Sequence, residues 1–131
     1  MRAVLVGLLM LASTYSVCAN DYVVIGDDPG GEVHSFLQKY DRLRAAGTPV
    51  ILDGECDSAC TLVLTLPRGQ VCAMPSAVLG FHGGSYIPGG PIDLAMSRKW
   101  ATLYPPSVRP YFEHRELHYE RASKFFRLCH G

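Results

Sequence analysis

The stretch GECDSACTLV, residues 54–63, sets one serine, Ser58, between Cys56 and Cys60 where an apolar strand gives way to a helix. Upstream, Pro49 to Leu52 is an apolar run of strand length, and Gly54 interrupts it. Downstream, Ala59 to about Leu66 reads as a helix that Pro67-Arg68-Gly69 ends. Ser58 then has two readings. It caps the helix, the ordinary role of a serine in that position. Alternatively it is a nucleophile on a braced turn, because ligands of α/β proteins gather where strands end and helices begin.

Working toward the N-terminus, Val33, Phe36, Leu37, Tyr40 and Leu43, or neighbours such as Ala46, recur at helical spacing after Glu32, with Gly47 as the stop. Before that helix, Tyr22 to Ile25 is a β-branched and aromatic run, closed by the turn Asp27-Asp28-Pro29-Gly30-Gly31. Strand, helix and strand in this order predict a βαβ unit with parallel strands. Working toward the C-terminus, Val71 to Met74 and Val78 to Phe81 read as two further strands, and His82 ends the second. A glycine- and proline-rich loop covers 83–91. From Ile92 the remainder reads as helical: Ile92, Met96, Trp100 and Leu103 share a face, Pro105-Pro106 breaks the helix, and a last segment runs to Leu128. The expected class is α/β, with mainly parallel strands and a helical C-terminal part.

The first nineteen of the 131 residues read as a leader, not as fold. Arg2 precedes an apolar core, and Val17-Cys18-Ala19 supplies small residues before Asn20, as signal-peptide cleavage requires. An uncleaved anchor is the alternative, although the apolar core falls short of the roughly 20 residues of a membrane span. Residues 20–131 are then one domain, expected in the periplasm or secreted. They carry 11 basic and 12 acidic side chains and no basic stripe, which argues against a nucleic-acid partner. Cys56, Cys60, Cys72 and Cys129 make an even set behind a leader, which reads as two disulfides; isolated cysteines after a Cys-x3-Cys are weak zinc ligands, so no metal is expected. Of the three pairings, Cys60 with Cys72 and Cys56 with Cys129 is preferred, and Cys56 with Cys60 is the rival.

Acyl transfer needs a nucleophile, a base and oxyanion donors. Ser58, His82 and the backbone N–H groups of Ala59 and Gly31 are candidates for these roles. Singly each is weak: a Pro-Gly-Gly is usually a turn, and a lone histidine at a strand end usually has no catalytic role.

Together they support a resemblance. Asp28-Pro29-Gly30-Gly31, a helix, Gly54-Glu55-Cys56-Asp57-Ser58-Ala59, and then Pro75-Ser76-Ala77-Val78-Leu79-Gly80-Phe81-His82 look like the core of the Clp protease proteolytic subunit, of the ClpP/crotonase superfamily. Ser58 follows Gly31 by 27 residues and His82 follows Ser58 by 24, close to the family's spacing. The match spans residues 22 to 82, about half of the chain. A cysteine-bracketed serine with Gly-Phe-His resembles small exported bacterial members. The resemblance implies Ser58 as nucleophile, His82 as base, and Gly31 and Ala59 as oxyanion donors, acting on a peptide or small acyl substrate. It also implies self-association. The family's acidic third residue has no counterpart by motif; Asp93, Glu113, Glu116 and Glu120 are the carboxylates at hand. The serine–lysine branch would use Lys99, without a matching motif. Coenzyme A, the crotonase cofactor, and the ATP-driven partner of Clp protease are cytosolic and are not expected for an exported chain, so no cofactor is assigned. A binding or assembly module on the same fold is the alternative to a hydrolase.

Overall fold

The computed structural model describes residues 21–130. The leader read at 1–19, with Cys18, lies outside the described residues. Among the described residues, seven short strands form two sheets. β1 (Val23–Ile25), β2 (Val50–Leu52), β4 (Val71–Ala73) and β7 (Arg127–Leu128) lie side by side in that order, all parallel. β3 (Glu55–Asp57), β5 (Val78–Phe81) and β6 (His118–Arg121) form the second sheet, with β3 parallel and β6 antiparallel to β5. The chain crosses from one sheet to the other twice in the same way, from β2 into β3 and from β4 into β5. Gly54 turns the first of these corners. A side chain there would collide with Asp27, its Cβ falling 2.5 Å from Oδ1 and 2.9 Å from the backbone nitrogen.

The helix expected after the glycine turn is α1 (Val33–Ala46). Glu32 caps it, accepting from the N–H groups of His34 and Ser35 at 2.8 and 2.7 Å, and these bonds hold its carboxyl below the usual range. Gly47 ends it at φ 64°, a left-handed conformation that a side chain disfavours. The apolar stripe of α1 lies on the core, and Tyr40 is wholly buried.

Three expectations are corrected. Glu55–Asp57 is a strand, where a loop was expected after Gly54. Its alternation is what a second sheet needs: Cys56 faces the core, and Glu55 and Asp57 face the other way. The C-terminal part is not helical to Leu128. After α2 (Leu94–Ala101) come a 3₁₀ helix at Pro106–Glu113, β6, a short turn and β7. Two prolines at 105–106 and a third at 110 rule out a continuous α-helix. Finally, the preferred cysteine pairing is wrong. The bridges are Cys56–Cys60 and Cys72–Cys129, the rival pairing. Cys56 and Cys60 are four residues apart on the strand and turn that surround Ser58, with Cα atoms 5.3 Å apart, while β7 runs parallel beside β4 and brings Cys129 to Cys72.

The core joins both sheets to the C-terminal part. Phe81, the residue before His82, is fully buried, with ring centroids of Tyr104, Tyr111, Phe112 and Phe125 between 6.0 and 6.4 Å from its own. Among the described residues, no helix is long and apolar enough to cross a membrane.

Candidate functional site

Ser58 opens a 3₁₀ helix, Ser58–Thr65, directly after β3. The helix expected from Ala59 to about Leu66 takes this tight form. Thr61, Val63 and Thr65 are β-branched, and the Thr61 and Thr65 hydroxyls donate back to the carbonyls of Ser58 and Leu62. Leu66 is extended, as a residue before proline prefers, and the helix stops there. α1 anchors this turn: Tyr40 donates its hydroxyl to the Cys60 carbonyl at 2.7 Å. Burial pushes the Tyr40 phenol well above its ordinary pKa, so it stays a donor.

The backbone at Ser58 separates the two readings of its role. Its hydroxyl makes no capping bond; Asp57 holds the cap position, and its side chain makes none either. Instead Ser58 has φ 54°, the sole non-glycine residue with positive φ among the described residues. A left-handed conformation costs a residue with a Cβ roughly 1–2 kcal/mol, and such strain collects at functional sites. It turns the serine out of the line of strand and helix on a sharp elbow. The hydroxyl has no hydrogen-bond partner among the described residues.

The glycine turn after β1 packs against this elbow. A Cβ on Gly30 would lie 2.7 Å from the Ser58 Cβ and 2.8 Å from the Ala59 nitrogen. Only glycine lets the two loops approach this closely. Gly31, the residue named from the sequence, comes next in the chain at φ 153°, and its N–H makes no backbone hydrogen bond among the described residues. The N–H of Ala59, in the first helical turn, has no partner within the helix. The loop meets the elbow through Gly30, the contact residue that sequence reasoning missed, whereas a Cβ on Gly31 would touch only the Phe36 ring.

His82 follows β5, the strand beside β3. Asp57 pairs with Gly80 in parallel register, so Ser58 and His82 leave the same ends of adjacent strands. His82 is half-buried, and its Nδ1 lies 2.6 Å from the Gly83 carbonyl. A carbonyl only accepts, so this contact puts a proton on Nδ1, which makes Nε2 the nitrogen available as acceptor in the neutral tautomer. Gly83 is itself held, its N–H donating to the His114 carbonyl at 2.6 Å, and Gly84 donates to the buried Ser97 hydroxyl at 2.9 Å. No hydrogen bond joins Ser58 to His82 among the described residues.

The candidate carboxylates do not reach His82. Asp93 caps α2 through the Met96 N–H, Glu113 pairs with Arg98 at 2.8 Å, and Glu120 accepts from Tyr111 and Lys124. Glu116 lines a separate surface cavity with His114 and Arg115. Lys99 lies over the Trp100 ring on α2. A backbone carbonyl stands where an orienting acid would.

No protein-family model matches this chain, and no curated protein does. The site is therefore read from its own residues.

One of these is Asp57, next to the serine. Its side chain is 8 % exposed, and burial, followed by the neighbouring carboxylates of Glu55, Asp27 and Asp28, pushes its pKa up to about 6. Asp27, Asp28, Pro29, Glu55 and Asp57 line a cavity of about 220 Å³ beside the elbow. A larger hollow of about 580 Å³ runs over the outside of the first sheet, by Ile51, Cys72 and Arg127, but it contains none of the candidate catalytic residues.

Proposed function

We propose that this chain is an exported serine hydrolase with a ClpP/crotonase-like core, acting on peptides or small acyl compounds. The observation that carries the reading is the left-handed backbone of Ser58, at a strand–helix elbow against Gly30. In the reaction, Ser58 Oγ gives its proton to His82 Nε2 and attacks the substrate carbonyl. The oxyanion is received by the N–H groups of Ala59 and Gly31, each worth about 2.7–4 kcal/mol in comparable sites. The imidazolium then returns its proton to the leaving group, and water repeats the cycle on the acyl-serine. The Gly83 carbonyl holds the ring in the required tautomer, without the charge an aspartate would add to the imidazolium. Two disulfides suit an oxidising compartment, periplasmic or extracellular, where substrates are met without an ATP-driven partner.

A fluorophosphonate probe on the oxidised protein tests this. Ser58 is expected to carry the label by intact mass and peptide mapping, and His82→Ala to lose it. A protein that stays unlabelled over long incubation sinks the reading.

The absence of a Ser58–His82 hydrogen bond, with the acids bound elsewhere, favours a second reading: a binding module on the same core. Apo sites often close this gap only with substrate bound. If Ser58→Ala retains every cellular phenotype of the wild type, the binding reading stands instead.

A further inference from the structure

The cavity beside the elbow has an unusual wall for its size. Four carboxyl groups, those of Asp27, Asp28, Glu55 and Asp57, line it. Three have partial internal partners: Asp27 Oδ1 accepts from the Glu55 N–H, and Asp28 Oδ1 accepts from the Gly30 N–H, both at 2.9 Å. Glu55 Oε1 accepts the Tyr119 hydroxyl at 3.0 Å. Asp57 differs from these in one oxygen. Its Oδ1 is the one buried side-chain polar atom without a hydrogen-bond partner among the described residues. It lies over Gly80, where a Cβ would come 2.1 Å from it and 3.0 Å from the Tyr119 ring. The only cation paired to the cluster among the described residues is Lys39, 3.8 Å from Asp28.

We propose that this cavity binds an organic cation, the guanidinium or ammonium group of an arginine or lysine side chain, at the carboxylates of Glu55 and Asp57, on the side where Tyr119 borders both acids. Planar guanidinium matches paired carboxylates with several parallel N–H donors. An aromatic face adds to its binding, and Tyr119 is half-exposed and accessible. A metal ion fits less well: among the described residues, no three acidic, histidine or cysteine side chains converge closely enough to hold one. That the cavity is a substrate subsite, selecting basic peptides beside Ser58, rests on the hydrolase reading; the binding itself does not.

Bound cation would also offset the burial and the neighbouring charges that raise the Asp57 pKa to about 6, so near that pH binding is linked to proton release. The groups facing Asp57 are Glu55 on its own strand, Asp27 and Asp28 on the turn after β1, and Tyr119 on β6, with Lys39 of α1 beside Asp28.

The experiment uses the oxidised Ser58→Ala protein, so that neither outcome depends on labelling of the serine. N-acetyl-arginine amide and its neutral isostere N-acetyl-citrulline amide are titrated in amide NMR spectra at pH 7.5. The expected result is saturable shifts centred on Glu55 to Asp57 and Tyr119 with the arginine probe, at least tenfold weaker with citrulline. Paired Glu55→Gln and Asp57→Asn substitutions should weaken binding at least tenfold, and Tyr119→Leu, which spares both acids, several-fold. Lowering the pH to 4.5 should weaken it likewise. Equal response to citrulline, shifts centred elsewhere, or indifference to all three substitutions would overturn the proposal. So would calcium chloride producing the same saturable shifts at lower concentration than the arginine probe. If cation binding appears but the wild type never labels, the binding stands and the subsite role falls.

Discussion

Gly30 and Ser58 lie in direct contact, so close that a methyl group on Gly30 would press 2.7 Å from the Ser58 Cβ and 2.4 Å from the Asp57 carbonyl. Gly30 also has φ 79°, which a side chain disfavours. Gly30→Ala should therefore both strain the turn and push it away from the elbow. Thermal unfolding is expected to show a loss of roughly 1–3 kcal/mol. Fluorophosphonate labelling should fall by more than the folded fraction does. Gly69→Ala is the control: nothing lies within 4 Å of a Cβ there, and stability should change by less than about 0.5 kcal/mol.

The strain at Ser58 predicts a change with opposite signs for stability and activity. Ser58→Gly removes the Cβ that makes φ 54° costly. It should stabilise the fold by about 1 kcal/mol in urea unfolding, offset in part by greater freedom of the unfolded chain. It abolishes labelling. A destabilisation of similar size would mean that the left-handed geometry is not strained here.

Much of this was readable from residue pattern. The 3.6-residue period of Val33, Phe36 and Tyr40, and the apolar run 49–52, are local signals that tertiary structure had no reason to override. β3 and β6 gave no such signal. Glu55-Cys56-Asp57 has one apolar residue in three, and His118 to Arg121 has one aromatic among polar neighbours; each is a strand only because β5 lies between them. The disulfides depend on the same pairing, since Cys129 meets Cys72 only once β7 joins β4. At the site, Ser58 and His82 could be named because element junctions mark them. The left-handed turn of Ser58 and the Gly83 carbonyl could not, because neither depends on a side chain that advertises it. Asp57 reads as a polar loop residue until its strand turns it under Tyr119.

Asp57 should make stability fall as pH rises. Its pKa is raised to about 6 in the folded chain, by burial first and then by Glu55, above the ordinary value of 3.8. The folded state thus holds the proton more tightly than the unfolded state. This contribution is complete below about pH 4 and is lost as pH climbs through 6. Asp57→Asn, which stays neutral, should gain stability relative to wild type on the order of 1–2 kcal/mol at pH 7.5 and little at pH 4. Denaturant midpoints of the two proteins across this range measure the difference. Parallel pH profiles would show that Asp57 ionises without cost.

The two disulfides should differ in weight. Cys72–Cys129 closes a separation of 57 residues and ties β7 to the middle of the first sheet, whereas Cys56–Cys60 closes only four. The entropy that each removes from the unfolded chain is worth about 4 kcal/mol for the long loop and about 2 kcal/mol for the short one. Replacing Cys72 and Cys129 together by alanine should accordingly cost more in urea unfolding than replacing Cys56 and Cys60. Labelling should show the reverse order. The short bridge surrounds Ser58 and fixes the elbow, so its loss should lower the labelling rate of the folded protein more than loss of the long one. Equal rates in the two folded variants would show that Gly30 and Tyr40 hold the elbow without it.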